Sequence, residues 1–211
     1  MSTIMLETIF QFLIASMLLT LSPGPDIIYV LVTGLSEGKK QGILLSLGLV
    51  LGIIIHTTLV AFGISALITA SDILFLIIKL AGAFYLLFLA FKIYSKQATI
   101  QLNTKHSKNP THNYMTQGFL MNVLNPKVTL FFMAFFPQFL WDKTGHTVIQ
   151  FYTLGLIFML QAFIIFVCIA VFANKFYAMI QNYSKSGFIF KYLQIFTFVS
   201  IAIYIIFSHD Y

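Results

Sequence analysis

Six apolar stretches of about 20 residues or more occupy most of this 211-residue chain and constrain its fold more than any other feature. Hydrophobic residues make up 59% of the sequence and charged residues 9%, whereas a soluble domain has about 25% charged residues. A helix needs about 20 apolar residues to cross the hydrocarbon core of a bilayer. The sequence therefore predicts an all-α integral membrane protein with six transmembrane helices, at about residues 8–34, 42–69, 73–94, 114–140, 147–172 and 188–208.

Two of these stretches, the first and the fourth, are interrupted by proline beside a charged residue. The interruptions are Ser22-Pro23-Gly24-Pro25-Asp26 and Asn122-Val123-Leu124-Asn125-Pro126-Lys127. Proline donates no backbone N–H and its ring clashes with the preceding turn, so each interruption predicts a broken helix. In hydrocarbon, irregular backbone persists only where it is buried in protein or lines a wet cavity. A break that carries a charge therefore indicates a binding site.

The two breaks divide the chain into similar halves. Residues 1–100 and 114–211 each hold three spans and begin with a broken helix, and residues 101–113 form a polar linker. Because three is odd, the second half enters the membrane from the opposite face, which predicts two inverted three-helix repeats in one membrane domain. Asp26 and Asn125 are both some 12–14 Å from the cytoplasmic edge of their spans, at about 1.5 Å per residue. We therefore expect the breaks to meet near the midplane.

A site built from two broken helices offers the free carbonyls and N–H groups of the helix ends as ligands. Half-helix N-termini favour a carboxylate, and carbonyls with a carboxylate side chain favour an ammonium group. Asp26 and Lys127 follow corresponding prolines and predict a site for an amino acid. The alternative is that Asp26 only caps its half-helix and Lys127 only neutralises it. The candidate substrate-binding residues are Ser22, Pro23, Gly24, Pro25, Asp26, His56, Asn122, Asn125, Pro126 and Lys127.

Small residues predict where helices approach closely. Gly48-x-x-x-Gly52 places two glycines on one face of the second span, and Gly82 lies in a similar patch of the third. His56 follows one turn after Gly52 on the same face, where an ionisable group usually points inward.

Lys79 either reaches the outer surface with its long side chain or faces the central cavity.

The net charge of +6 is explained by membrane topology and does not indicate nucleic-acid binding. The lysines concentrate in the first, third and fifth loops, which predicts that these loops are cytoplasmic and that both termini lie outside the cytoplasm. A five-span chain, whose first segment does not cross, would place the N-terminus inside and remains an alternative. The loop lysines are Lys39, Lys40, Lys92, Lys96, Lys105, Lys108, Lys175, Lys185 and Lys191.

Other functional classes lack the residues that they need. His106 and His112 in the polar linker have no cysteine or carboxylate nearby, so no metal or other cofactor is expected. The single cysteine, Cys168, has no partner for a disulfide. An intramembrane enzyme would need a catalytic constellation such as His-Glu-x-x-His, which is missing. A channel and a scaffold without transport stay open as alternatives, although no ring of like charges is evident.

These motifs together resemble the amino-acid exporters of the lysine exporter and homoserine/threonine resistance type, LysE/RhtB. The resemblance covers nearly the whole chain and is carried by Ser22 to Asp26, Gly34 to Gly42, Gly48-x-x-x-Gly52, Lys79 to Leu86, Asn122 to Lys127 and Phe136 to Phe139. It implies a multi-pass secondary exporter of the bacterial inner membrane, which moves amino acids and works as a proton antiporter.

One departure from the family pattern bears on the substrate. Many members carry an acidic residue directly after the second glycine of the second span, and this chain has Ile53 there. The resemblance then favours the homoserine/threonine branch and a neutral amino acid, with Asp26 and His56 as the candidate proton carriers. Amino acid, protons and membrane lipid are the expected partners, and the sequence leaves open whether the protein is a homo-oligomer.

Overall fold

A computed structural model describes residues 3–64, 72–95, 113–142, 145–182 and 186–207. In this part of the chain every regular element is helical. The helices are α1 (Thr3–Leu21), α2 (Pro25–Ser36), α3 (Lys39–Leu59), α4 (Asp72–Tyr94), α5 (Tyr114–Val123), α6 (Pro126–Leu130), α7 (Thr147–Val171), α8 (Ala173–Asn182) and α9 (Ser186–Phe207). A π-helical turn, Val60–Ile64, continues α3, and α6 continues through a π-helical turn, Phe131–Phe135, and a 3-10 turn, Phe136–Phe139.

Five helices of the described residues are long and apolar enough to cross a membrane, and α5 with α6 and its continuation makes a sixth span. The prediction of an all-helical membrane protein is confirmed, with six spans when the bent pair counts as one. The first helix differs in detail, because it begins at Thr3 and is 19 residues long. At about 1.5 Å per residue α1 alone is long enough to cross most of the hydrocarbon core, and α2 is an additional short apolar helix.

The helix breaks lie where proline predicted them. α1 ends at Leu21 and α2 begins at Pro25, whereas α5 ends at Val123 and α6 begins at Pro126. The two parts of the fourth span are bent by 48° relative to each other. In both places proline is the first residue of the new helix, where its missing N–H has no helical partner to lose.

Helix α3 lies at the centre of the bundle and packs against α2, α5 and α7. Its contact with α5 depends on glycine: a Cβ on Gly48 would overlap the carbonyl oxygen of Met115, and a Cβ on Gly118 would overlap that of Leu45. Backbones that approach this closely gain van der Waals contact, which is a main source of helix association in membranes. Helix α4 packs against α9 and, through Gly82, against Ala134 of the fourth span.

Aromatic rings fill the interior beyond the second break. Phe131, Phe135 and Phe136 of the fourth span are at most 2% exposed. Phe136 stacks on Phe151 of α7, with ring centroids 5.8 Å apart, and meets Phe12 of α1 edge to face at 5.2 Å. These ring contacts fix the far end of the fourth span against α1 and α7.

The short helix α8 between α7 and α9 was not predicted. It is amphipathic, and its buried Ala173 packs beside Gly34 of α2. The predicted linker, residues 101–113, lies outside the described residues except for Asn113, whose side chain accepts a hydrogen bond from the N–H of Thr116 at the start of α5. The division into two inverted repeats and the orientation of the termini stay predictions.

Candidate functional site

The two helix breaks meet inside the protein, and their charged residues face each other. Nζ of Lys127 lies 3.7 Å from Oδ2 of Asp26. Both residues are 5% exposed, so the pair is removed from solvent. Buried charges in a membrane protein are costly. They mark functional positions unless they serve only to neutralise each other.

The first break leaves several polar atoms open. Gly24, the residue before α2, has an extended backbone and provides no side chain to cap the helix. Nζ of Lys127 donates a hydrogen bond of 2.8 Å to the carbonyl oxygen of Ser22. Oγ of Ser22 and Oδ1 of Asp26 are buried and have no hydrogen-bond partner. Buried polar atoms are normally hydrogen-bonded, so these two atoms are candidates for binding a ligand.

The second break satisfies its own backbone. The side chain of Asn125 accepts a hydrogen bond of 3.1 Å from the N–H of Lys127 and so caps α6. The carbonyl oxygen of Asn125 accepts from the N–H groups of Val128 and Thr129 and from the hydroxyl of Thr129. Asparagine is among the best capping residues, and proline at the first helical position, here Pro126, suits the same geometry.

His56 and Asn122 adjoin the second break from the side of α3. Nε2 of His56 is 3.2 Å from the carbonyl oxygen of Asn122, at hydrogen-bond distance, and the His56 side chain is buried. Asn122 lies against Gly52, where an added Cβ would be 2.7 Å from Oδ1 of Asn122. That Oδ1 is also buried and has no hydrogen-bond partner. Gly52 is therefore a contact to Asn122 as well as a packing residue.

The structure thus brings the predicted residues into two neighbouring groups. Ser22, Gly24 and Asp26 of the first break meet Lys127, whereas His56 contacts Asn122 on the other side of the second break. Pro23, Pro25, Asn125 and Pro126 shape the backbone at the two breaks. Lys79 is buried and does not reach the surface.

Tyr29 and Gln117, which the sequence did not single out, connect the two halves of the chain. The side-chain amide of Gln117 on α5 donates a hydrogen bond to the hydroxyl of Tyr29 on α2. Tyr29 follows Asp26 by about one helical turn, and its position on that face was the available signal. Gln161 of α7 donates to Oγ1 of Thr20 at 2.9 Å and ties α7 to α1.

The chemistry of this site is that of ion pairing and hydrogen bonding. Within the described residues no group of three or more histidine, cysteine, aspartate or glutamate side chains could hold a metal ion. An aspartate and a lysine at two broken helices provide matching charges for the ammonium and carboxylate of a zwitterion. Helical bundles with charged, discontinuous helices at their centre are typical of secondary transporters.

Comparison with known proteins agrees with that class. The chain belongs to the LysE type translocator family, whose family model matches residues 17–209. Members of this family are transporters, so the chain is a multi-pass membrane transporter and not an enzyme.

The chain is similar to two curated proteins named leucine efflux protein. One, from Enterobacter sp. (strain 638), is 32% identical over 164 residues, which are 74% of this chain and 77% of that protein. The other, from Salmonella choleraesuis (strain SC-B67), is 31% identical over 147 residues, which are 69% of each chain. No solved structure matches the chain.

Proposed function

We propose that this protein exports a small neutral amino acid from the cytoplasm across the bacterial inner membrane in exchange for protons. The observation that carries the proposal is the buried pair of Asp26 and Lys127, which joins the two broken helices. The names of the two leucine efflux relatives favour a neutral amino acid. Leucine is therefore the first substrate to test, and threonine and homoserine follow from the family resemblance.

The substrate replaces the internal ion pair. Its ammonium group binds Asp26, and its carboxylate binds Lys127 and the free N–H groups at the start of α2. Burying two charges costs several kcal/mol per ion, and their mutual attraction offsets this only with good geometry. In the empty site Asp26 and Lys127 compensate each other. In the filled site the ammonium and carboxylate of the bound zwitterion compensate them.

The charge count of the site agrees with a neutral amino acid. A cationic side chain would need a further buried carboxylate, and among the acidic residues whose burial the structure describes Asp26 alone is buried. The side chain of a neutral substrate needs no such partner. A basic amino acid is therefore a weaker substrate under this proposal.

Proton exchange requires a group that binds a proton when the substrate has left. Asp26 is the proposed carrier, because its carboxylate can bind a proton after the substrate ammonium has left and before it pairs with Lys127 again. His56, hydrogen-bonded to Asn122 beside the break, is the second candidate. The proposed cycle binds amino acid from the cytoplasm, releases it outside, and returns with Asp26 protonated.

The test is counterflow in vesicles that contain the purified protein. Vesicles loaded with unlabelled leucine should transiently accumulate labelled leucine, which a carrier produces and a channel or a scaffold does not. Asp26→Asn should abolish this accumulation. Glu7→Gln is the matched control, because it removes an exposed carboxylate from α1, and this variant should exchange leucine like the wild type.

Two results would overturn parts of the proposal. Normal counterflow by the Asp26→Asn variant would remove Asp26 from the binding site. A pH gradient that neither drives nor retards leucine efflux would exclude proton exchange and would leave substrate binding intact. Parallel assays with threonine, homoserine and lysine rank the substrates.

A further inference from the structure

A cavity of about 250 Å³ lies between the end of α3 and the fourth span, just beyond the second break. Val60, Gly63, Phe132 and Met133 form most of its apolar wall, and His56 lies at the side of the break. An apolar cavity of about 150 Å³ accommodates a benzene molecule, so this one has room for about ten heavy atoms. The cavity is open on one side, because Leu59 and Met133 in its lining are 63% and 43% exposed.

The bend of the fourth span explains why the cavity exists. Before the break, α5 lies directly on the glycine face of α3, at Gly48 and Gly52. After the break the chain turns by 48°. The same face of α3 continues through His56, Val60 and Gly63, but its partner helix has diverged. A Cβ added to Gly63 would meet no atom within 4 Å.

Helix α6 separates the ion pair from this cavity. Lys127 and Thr129 are two residues apart and so lie about 200° apart around a helix of 3.6 residues per turn. Lys127 points to Asp26, whereas Thr129 lines the cavity. The lysine side of α6 is thus packed against the first break, and the opposite side borders open space.

Binding of an amino acid between Asp26 and Lys127 requires the two side chains to separate. A charge-assisted hydrogen bond is about 2.8 Å long, so the two bonds alone would span about 5.6 Å. The observed separation of Nζ and Oδ2 is 3.7 Å. The two groups must therefore separate, either by a turn of the Lys127 side chain or by movement of one of the two helices.

Helix α2 has little freedom to move. A Cβ on Gly34 would lie 2.9 Å from the carbonyl oxygen of Ala170 in α7, so the two backbones are already in contact. Val30 and Leu31 of α2 are buried as well. Helix α6, by contrast, lies between a break and a π-helical turn, Phe131–Phe135, and a second π-helical turn, Val60–Ile64, lies on the far side of the cavity. Such turns are frequent at functional sites, and they are among the places where helices kink.

We infer that α6 is the moving element of the site and that the cavity is the space that it enters when a substrate separates Lys127 from Asp26. The inference rests on the proposed function. The aromatic contacts of Phe136 hold the far end of the span, so α6 pivots about the π-helical turn Phe131–Phe135. Filling the cavity then blocks transport without touching either charged residue.

The test fills the cavity after the protein has folded. Gly63→Cys is made in a Cys168→Ser background, which leaves one thiol, and the reconstituted protein reacts with methyl or benzyl methanethiosulfonate. Phe62→Cys is the matched control, because Phe62 is the neighbouring residue, is exposed and does not line the cavity. Mass spectrometry measures the extent of labelling, and a reducing agent removes the label.

A benzyl group on the thiol of the Gly63→Cys variant should slow leucine counterflow by about tenfold, within the range that overpacking an interior costs. The methyl group should slow it less, and either label on the Phe62→Cys variant should change it by less than about twofold, the scale of a surface substitution. Reduction should restore the rate of the labelled Gly63→Cys protein. Unchanged counterflow after complete benzyl labelling of that protein would overturn the inference and leave the proposed function standing.

A second labelling position is needed in case the unlabelled Gly63→Cys variant is itself inactive. If Gly63→Cys exchanges no leucine before labelling while the wild type does, Met133→Cys on the opposite wall takes its place under the same criteria. Absence of counterflow for every amino acid in the wild type would instead refute the proposed function itself, and the inference with it.

Discussion

Gly24 and Asn125 occupy equivalent positions, each directly before a proline that begins a short helix, and they cap these helices differently. Gly24 has no side chain to offer, and its carbonyl oxygen accepts a hydrogen bond of 3.2 Å from the N–H of Ile28. Asn125 caps α6 with its side chain and uses its carbonyl oxygen for Val128 and Thr129. The helix after the first break therefore has no side-chain cap, whereas the helix after the second break is capped by Asn125.

This difference assigns different tasks to two similar motifs. At the first break, Oγ of Ser22 and Oδ1 of Asp26 are buried without a partner and remain available. At the second break the backbone is satisfied, and Lys127 extends from it towards the first. Under the proposed function, the first break supplies ligand atoms, whereas the second caps its own helix and presents the charge of Lys127.

The largest expected effect comes from removing the charge that the second break delivers. Lys127→Met leaves the Asp26 carboxylate buried without a counter-ion, which should cost about 3–5 kcal/mol of stability. The double variant Asp26→Asn with Lys127→Met should recover most of that loss but no transport. Thermal unfolding in detergent measures the stability of both variants, and counterflow measures transport. A Lys127→Met protein as stable as the wild type would show that the pair is not coupled.

A methyl group at the first break should have the next largest effect. A Cβ on Gly24 would lie 2.5 Å from Oδ1 of Asp26 and 3.2 Å from Nζ of Lys127. Gly24→Ala should therefore displace the pair, at a cost of about 1–3 kcal/mol, and lower leucine counterflow about tenfold. Gly63→Ala is the control, because its added methyl group meets nothing. Equal rates in the two variants would contradict the close fit at Gly24.

Removing the cap of the second break should have a moderate effect. Asn125→Ala loses the hydrogen bond to the N–H of Lys127 and should lower stability by about 1 kcal/mol. Asn125→Ser, which retains a capping oxygen, should lose less. Thermal unfolding in detergent compares the two variants, and equal losses would indicate that the cap does not stabilise α6.

The smallest change in stability is expected at Ser22. Its hydroxyl is buried without a partner to lose, so Ser22→Ala should not lower the unfolding free energy. If the hydroxyl binds substrate, the KM for leucine should nevertheless rise severalfold. Thr20→Ala, which loses a hydrogen bond to Gln161, provides the contrast: lower stability with an unchanged KM. An unchanged KM for Ser22→Ala would remove Ser22 from the binding site.

Much of this architecture is predictable because single residues determine it. Hydrophobic runs of span length predict the long helices, and proline with a neighbouring charge predicts both breaks. The meeting of Asp26 with Lys127 follows from placing both breaks at a similar depth. Even the cap at Asn125 follows the rule that asparagine precedes a helix that starts with proline.

Other features depend on how the helices pack and have no local signal. The cavity beside Gly63 arises because the fourth span bends away from α3, and the angle of that bend is set by contacts distant in sequence. The burial of Lys79 likewise depends on its neighbours in space. Helix α8 is a different case. Its sequence is amphipathic, but a segment of 10 residues is too short to distinguish a helix from a loop by pattern alone.

The pairing of Asp26 with Lys127 also sets a condition on how the chain enters the membrane. Ribosomes add about 5–20 residues per second, and Lys127 is made about 100 residues after Asp26, so the carboxylate waits roughly 5–20 s for its counter-ion. Throughout that interval α2 must stay in the headgroup layer or carry a proton on Asp26. The first break can therefore be neutralised by its internal partner only after the fourth span, which carries Lys127, has been made.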